Sequence, residues 1–142
     1  METYLSAAEE DTLAIGRRLG ERLAPPRVVL LFGSLGAGKT VLAKGIAEGL
    51  GVADSAAVHS PSFTLINRYR QGSRVMYHVD LYRLDSPREI YSTGIEDLLS
   101  EDVVMVVEWA ERLPFAVEAP VSVRILATPD ATSRRIEIDG LD

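Results

Sequence analysis

The sequence predicts an α/β domain with a central parallel sheet flanked by helices and antiparallel strands or hairpins at the sheet edges. Three observations predict it. An apolar run, Val28 to Phe32, empties into a glycine-rich segment followed by a helix pattern, a strand-loop-helix order characteristic of α/β folds. A second apolar run, Val103 to Val107, also lacks polar alternation, as expected of strands covered by helices on both faces. Alternating segments around turn residues then supply the hairpins.

Taken in order, Ser6 followed by Glu9 has capping-box spacing, and Leu13, Gly16, Leu19 and Leu23 recur at helical intervals until Pro25 and Pro26 stop the segment. This first helix is expected to be amphipathic and packed on the sheet. Val28 to Phe32 is the first central strand. Gly33, four spacers, Gly38, Lys39 and Thr40 follow, completing the GxxxxGK[ST] phosphate-loop pattern. Residues 63–70 and 74–80 flank Gln71, Gly72 and Ser73 and read as a hairpin with a short turn. Ser86 and Pro87 open a short helix by cap and first-turn proline chemistry, and Gly94 to Ser100 reads as another. Val103 to Val107 is the second central strand. Residues 121–128 and 134–140, around Pro129 and Asp130, read as a second hairpin at a sheet edge.

The glycine-rich segment carries the first chemistry. Gly33, Gly36 and Gly38 let backbone N–H groups wrap a phosphate with no Cβ in the way, and the following helix directs its dipole at the same anion. Lys39 supplies a point charge between the outer phosphates, and the Thr40 hydroxyl completes a Mg²⁺ shell that includes phosphate oxygens. The cradle expected around a nucleoside triphosphate comprises Gly33, Ser34, Leu35, Gly36, Ala37 and Gly38, together with Lys39, Thr40 and Val41.

Composition narrows the setting. At 142 residues the chain is of single-domain size, with little length left for a separate lid or substrate domain. It contains no cysteine, so disulfides and Cys-based metal sites are excluded and a reducing cytoplasm suits it. No apolar stretch reaches the roughly 18 residues of a membrane span, and METYLSAAEEDT lacks the basic start of a signal peptide. A net charge of −6 opposes tight autonomous binding to a polyanion, because such binding depends on Lys and Arg neutralising phosphates. A nucleic acid reached through a partner protein stays compatible with that charge.

A bound phosphate chain with its metal needs a carboxylate at the C-terminal end of a neighbouring apolar strand. Glu108 closes Val103 to Val107 and is expected to hold Mg²⁺ or to orient the attacking water. Asp80 ends RVMYHVD and is either a second ligand for metal or water, or a turn cap. Trp109, the single tryptophan, lines the nucleotide or partner surface or else packs in the core. His78 reads as an ordinary strand residue, Arg68, Arg70 and Arg74 as a solvated strand edge that resists pairing or else a lid, tRNA or partner contact, and Arg83 as a group able to reach phosphate or acid.

GSLGAGKT, SPSFTL at Ser60 to Leu65, HVDLYRL at His78 to Leu84 and VEWAE at Val107 to Glu111 occur in the order and approximate spacing of the TsaE family, which the chain resembles over nearly its whole length. The family is the bacterial ATPase subunit of tRNA threonylcarbamoyladenosine synthesis. The resemblance implies a phosphate-loop NTPase-like domain, ATP with Mg²⁺ as cofactor, and weak intrinsic hydrolysis. It also implies a partner transferase complex of two further protein subunits, which modifies an adenosine beside the tRNA anticodon. By the same likeness SPSFTL is a switch-like segment with Thr64 as a polar contact near the γ-phosphate. Lys39, Asp80 and Glu108 become catalytic residues, and Thr40, Asp80 and Glu108 the metal set. Ser62 stands where the family more often has Thr, a change that keeps the hydroxyl. The rival expectations are a small-molecule kinase, in which an acceptor hydroxyl replaces water, and a non-catalytic nucleotide-dependent interaction module.

Overall fold

A computed structural model describes residues 1–34, 38–52, 66–130 and 132–141. The elements run β1 (Glu2–Ser6), α1 (Glu9–Glu21), β2 (Arg27–Phe32), α2 (Lys39–Leu50), β3 (Ile66–Gln71), β4 (Arg74–Asp80), α3 (Pro87–Ser92), α4 (Ile95–Leu98), β5 (Val104–Glu108), β6 (Val121–Ala127) and β7 (Arg134–Asp139). A single 3-10 turn, Ala110–Arg112, follows β5. The strands form one sheet in the order β1-β7-β6-β2-β5-β4-β3. Its four inner strands, β6, β2, β5 and β4, are mutually parallel, and antiparallel β3 on one side and β7 with β1 on the other extend it.

The inner strands are apolar on both faces because both are covered. Val29 and Leu31 of β2 and Val104 and Val106 of β5 meet Ile15 and Leu19 of α1 and Leu42 and Ile46 of α2. The alternate residues Leu30, Met105 and Val107 pack with Ile90 of α3 and Ile95 of α4 on the opposite side. Each such side chain, once buried, contributes about 1.5–3 kcal/mol relative to exposure. All five residues of β5 are buried, and its carboxyl end delivers Glu108 to the face that α1 and α2 cover.

The expected helix α1 forms, but its main neighbour is α2. Gly16 and Gly20 of α1 face Gly45 and Gly49 of α2 so closely that a Cβ at Gly16 would lie 2.5 Å from Leu42 O and 2.9 Å from Gly45 Cα. The missing side chains are what let the two backbones touch. The capping box expected from Ser6 and Glu9 does not form. Ser6 ends β1, its Oγ shares a 2.6 Å hydrogen bond with Thr12 Oγ1, and Asp11 accepts from the Ala7 N–H at 2.9 Å. Extended pairing with β7 commits Ser6 to the sheet and moves the helix start two residues onward, to Ala8 at the N-cap.

Elsewhere the helices and hairpins follow expectation. Ser86 caps α3 by accepting from the Glu89 N–H, with Pro87 at the first helical position. Gly72, at φ +61, turns β3 into β4, and residues 63–65 of the expected strand lie outside the described residues. The hairpin β6–β7 is antiparallel as expected, but it is not the edge: β6 lies beside β2, and β1, absent from the sequence reading, covers β7.

Candidate functional site

The site lies where β2, β4 and β5 end and α2 begins. Gly38 occupies the N-cap of α2 at φ +105, a left-handed conformation that favours glycine, and its carbonyl accepts the first helical bond from the Leu42 N–H at 3.0 Å. That turn sets Lys39 and Thr40 on the first turn of α2, facing the strand ends. Lys39 is not the solvent-facing loop residue its position suggests, for it is only 5% exposed. Its Nζ donates to Gly33 O at 2.7 Å and stands 3.7 Å from the centroid of the Trp109 ring. Burial pushes the Lys39 ammonium below its ordinary pKa, partly opposed by the carboxylates of Glu108, Glu111 and Asp80.

Glu108 is the centre of the acidic side. It is 3% exposed, and the Thr40 hydroxyl donates toward its two carboxylate oxygens at 3.4 and 3.3 Å. His78, fully buried on β4, brings its Nε2 to 2.5 Å from Glu108 Oε2. Asp80 stands opposite Glu108 in the β4–β5 register, and its Oδ1 accepts from the Tyr82 N–H at 2.9 Å, so it also serves as the turn cap that was the rival expectation. The Leu81 N–H donates to Glu108 O at 3.2 Å, continuing the pairing one step past the strands.

Trp109 leaves β5 at φ +59, a left-handed conformation that costs a bulky residue about 1–3 kcal/mol. The kink lays the indole between Lys39 and Tyr82, whose ring centroid is 5.1 Å away. Arg112 reinforces this wall, with its guanidinium 5.2 Å from the Trp109 ring centroid. Its Nη1 donates to the carbonyls of Leu81, Tyr82 and Leu84, pinning the loop after Asp80.

The structure thus brings together Lys39, Thr40, Glu108 and Trp109, with Asp80 across the strand register and Gly33 receiving the lysine. Ser34 is exposed beside Gly33, and Val41 is partly buried on α2. Leu35, Gly36, Ala37 and Thr64 lie outside the described residues, as does all of SPSFTL. Arg83 is exposed, while Arg70 on β3 donates to Gly72 O of the turn and Arg74, at the start of β4, donates to Leu50 O at the end of α2. His78 and Arg112 are functional candidates that the sequence reading passed over. The HxD pattern of His78 and Asp80 could have found the first, since alternate strand residues share a face. A further cavity of about 190 Å³ adjoins Gly38 and Val41 and is lined by Ser6, Thr12, Thr132 and Arg134 among others.

Thr40 and Glu108 present hard oxygen donors of the kind Mg²⁺ prefers. Among the described residues no cluster of three His, Cys, Asp or Glu side chains could hold a metal alone, so ligands from a bound phosphate would have to complete such a shell.

Fold and site together define an α/β protein in which a lysine, a threonine and a buried carboxylate converge at the carboxyl ends of parallel strands. Residues 6–136 match the family model described as "Threonylcarbamoyl adenosine biosynthesis protein TsaE". The chain belongs to the TsaE family. It is 41% identical to the tRNA threonylcarbamoyladenosine biosynthesis protein TsaE of a Nostoc species, over 97% of this chain and 85% of that one. The Mycobacterium bovis protein of the same name is 48% identical over 73% of this chain and 66% of its own length, and the Rickettsia conorii one is 36% identical over 80% and 64%. The crystal structure of YdiB from Bacillus subtilis superposes with a TM-score of 0.76 at 32% identity, covering 99% of this chain and 86% of that one. Among the described residues no helix is long and apolar enough to cross a membrane.

Proposed function

We propose that residues 1–142 form one phosphate-loop ATPase domain that binds ATP with Mg²⁺, hydrolyses it slowly alone, and couples that cycle to a cytoplasmic partner transferase complex in tRNA threonylcarbamoylation. The observation that carries this reading is the convergence of Lys39 and Thr40, on the first turn of α2, with buried Glu108 at the end of β5. Family membership supplies the pathway, and two further subunits holding the tRNA fit a chain of net charge −6.

The chemistry assigned to each residue follows from its position. The Lys39 ammonium rests on Gly33 O; a phosphate at the loop would offer it a stronger, charged acceptor and offset the burial that weakens its hold on its proton. The indole of Trp109 shields that ammonium on one side and keeps its charge directed at the loop. Thr40 and Glu108 would hold Mg²⁺, which when bound neutralises charge on the phosphate oxygens. Asp80, opposite Glu108, would orient the attacking water, and Arg112, bonded to three carbonyls of the 81–84 loop, would keep that loop from drifting across the strand ends. The cavity beside Gly38 and Val41 would take the nucleoside end, with the hydroxyls of Ser6, Thr12 and Thr132 as polar contacts.

Equilibrium binding of a fluorescent ATP analogue with Mg²⁺ or with chelator, followed by single-turnover hydrolysis with and without the purified partner complex, tests the reading. It expects Mg²⁺-dependent binding, slow turnover alone and a changed turnover or affinity with the partners. Absence of nucleotide binding, indifference to the partners, or phosphate transfer to a small metabolite in place of water would refute it.

A further inference from the structure

We infer that His78 is a positioning residue whose imidazole fixes the Glu108 carboxylate from behind and keeps its other side turned toward Thr40. The inference rests on the hydrolytic reading of the site. His78 is 0% exposed, and its Nε2 stands 2.5 Å from Glu108 Oε2, whereas the Thr40 hydroxyl reaches the same carboxylate only at 3.3 and 3.4 Å. The short bond to a charged acceptor is the strong one, and the two long ones are easily exchanged. Glu108 is therefore fastened on the histidine side and loosely held on the threonine side, where a metal or water would have to enter.

The sheet explains the placement. His78 is the register partner of Val106, and Asp80 of Glu108, so His78 sits one pleat repeat, about 6.6 Å, below the carboxylate on the same face. A rigid ring of that reach closes the gap to a glutamate folding back along its strand. A carboxylate only accepts, so Nε2 carries the hydrogen. Among the described residues Nδ1 has no hydrogen-bond partner. Left as a lone pair it is tolerable; a buried N–H there would be an orphaned donor. One protein-held bond thus fixes both the tautomer and the carboxylate. Partners of this kind, placed behind a metal-site or catalytic carboxylate, typically change activity by about 10–100-fold.

The test uses the full chain with its partner complex and the variants H78L, which removes the donor, and H78Q, whose amide nitrogen can stand near Nε2. H78L is expected to slow single-turnover ATP hydrolysis by about 10–100-fold while changing ATP affinity by less than about 3-fold. H78Q is expected to recover most of the rate, and H78L combined with E108Q to be no slower than E108Q alone. Wild-type rates in a folded H78L, or equal losses in H78L and H78Q, overturn the inference. Ring-nitrogen NMR of the nucleotide-free chain gives a readout independent of turnover and of H78L folding. An Nε2–H tautomer whose proton signal moves upfield in E108Q supports the bond, and an Nδ1–H tautomer or an unmoved signal overturns it. A wild-type chain that turns over no ATP with or without partners instead removes the hydrolytic reading, and the NMR signals then decide alone whether His78 fixes Glu108.

Discussion

Replacing Gly45 by alanine tests whether the α1–α2 contact sets the position of the site. Intrinsic helix propensity alone predicts that the change stabilises the protein by about 1 kcal/mol, because alanine is the better helix former. The structure predicts the opposite. A Cβ on Gly45 would overlap Leu13 O and stand 2.8 Å from Gly16 Cα and 3.0 Å from Arg17 N, all backbone atoms of the facing helix. Comfortable carbon–oxygen contact needs about 3.3 Å, so the helices must separate by about 1 Å. No rotamer change can relieve that overlap. Overpacking costs about 1–3 kcal/mol, and a backbone clash belongs at the upper end. Less the propensity gain, the net loss is about 2 kcal/mol, a fall of about 4–8 °C in Tm for a domain of this size. Circular-dichroism melts measure it directly. Because α2 begins at Lys39, displacement of the helix should also weaken nucleotide binding. A Gly45→Ala protein that melts at or above the wild-type temperature would refute the close contact and the reasoning built on it.

Lys39→Met should abolish nucleotide binding yet melt no lower than wild type at pH 7. Burial lowers the lysine pKa in the fold, so the unfolded chain holds the proton better and Lys39 costs stability at neutral pH; that cost fades as pH rises toward the unfolded value of 10.5, and melts from pH 7 to 10 should show the gap closing. Asp80→Ala and Glu108→Ala should each slow single-turnover hydrolysis by about 100-fold or more with less effect on ATP binding, as loss of one oriented electrostatic group does. Asp130→Ala should destabilise the β6–β7 connection at pH 6 and much less at pH 2. Hydrogen bonds from the Ser133 N–H, the Thr128 hydroxyl and the Thr132 N–H hold its carboxyl at about 2 against 3.8 ordinarily, so its contribution is present above the unfolded value and lost as pH falls through the folded one. A Tm difference that stays constant from pH 6 to 2 would remove that role.

Much of this site was legible because its signals are local. The order of apolar strand, glycines, Lys39 and helix lies within 23 residues, Val28 to Leu50, and Glu108 follows directly from the end of an apolar run. What escaped the sequence depends on pairing at a distance. The short β1 alternates only weakly, with Leu5 outward and 72% exposed, and its partner lies at the other end of the chain. His78 acquires its meaning only from the β4–β5 register that brings it beside Glu108. Arg112 finds three carbonyls in a loop some 30 positions earlier, and Trp109 becomes a shield for Lys39 only through a left-handed kink that no residue preference announces. The α1 cap was misplaced for the same reason: Ser6 had been claimed by a strand.

The pairing of β1 with β7 also bears on how the domain is assembled. It joins Glu2 to Ile138 and Ser6 to Arg134, so strands at opposite ends of the sequence must find one another across roughly 130 positions. The entropy of closing so long a loop is recovered only when β6 and β7 are already seated on β2. During synthesis β1 thus emerges long before β7 and finds its place only after it. Ser6 and Thr12 share a wall with Thr132 and Arg134 in the cavity beside Gly38, so a ligand there would clasp the two ends of the chain together. Amide exchange should find β1 the earliest strand to open and the one most slowed when that cavity is filled.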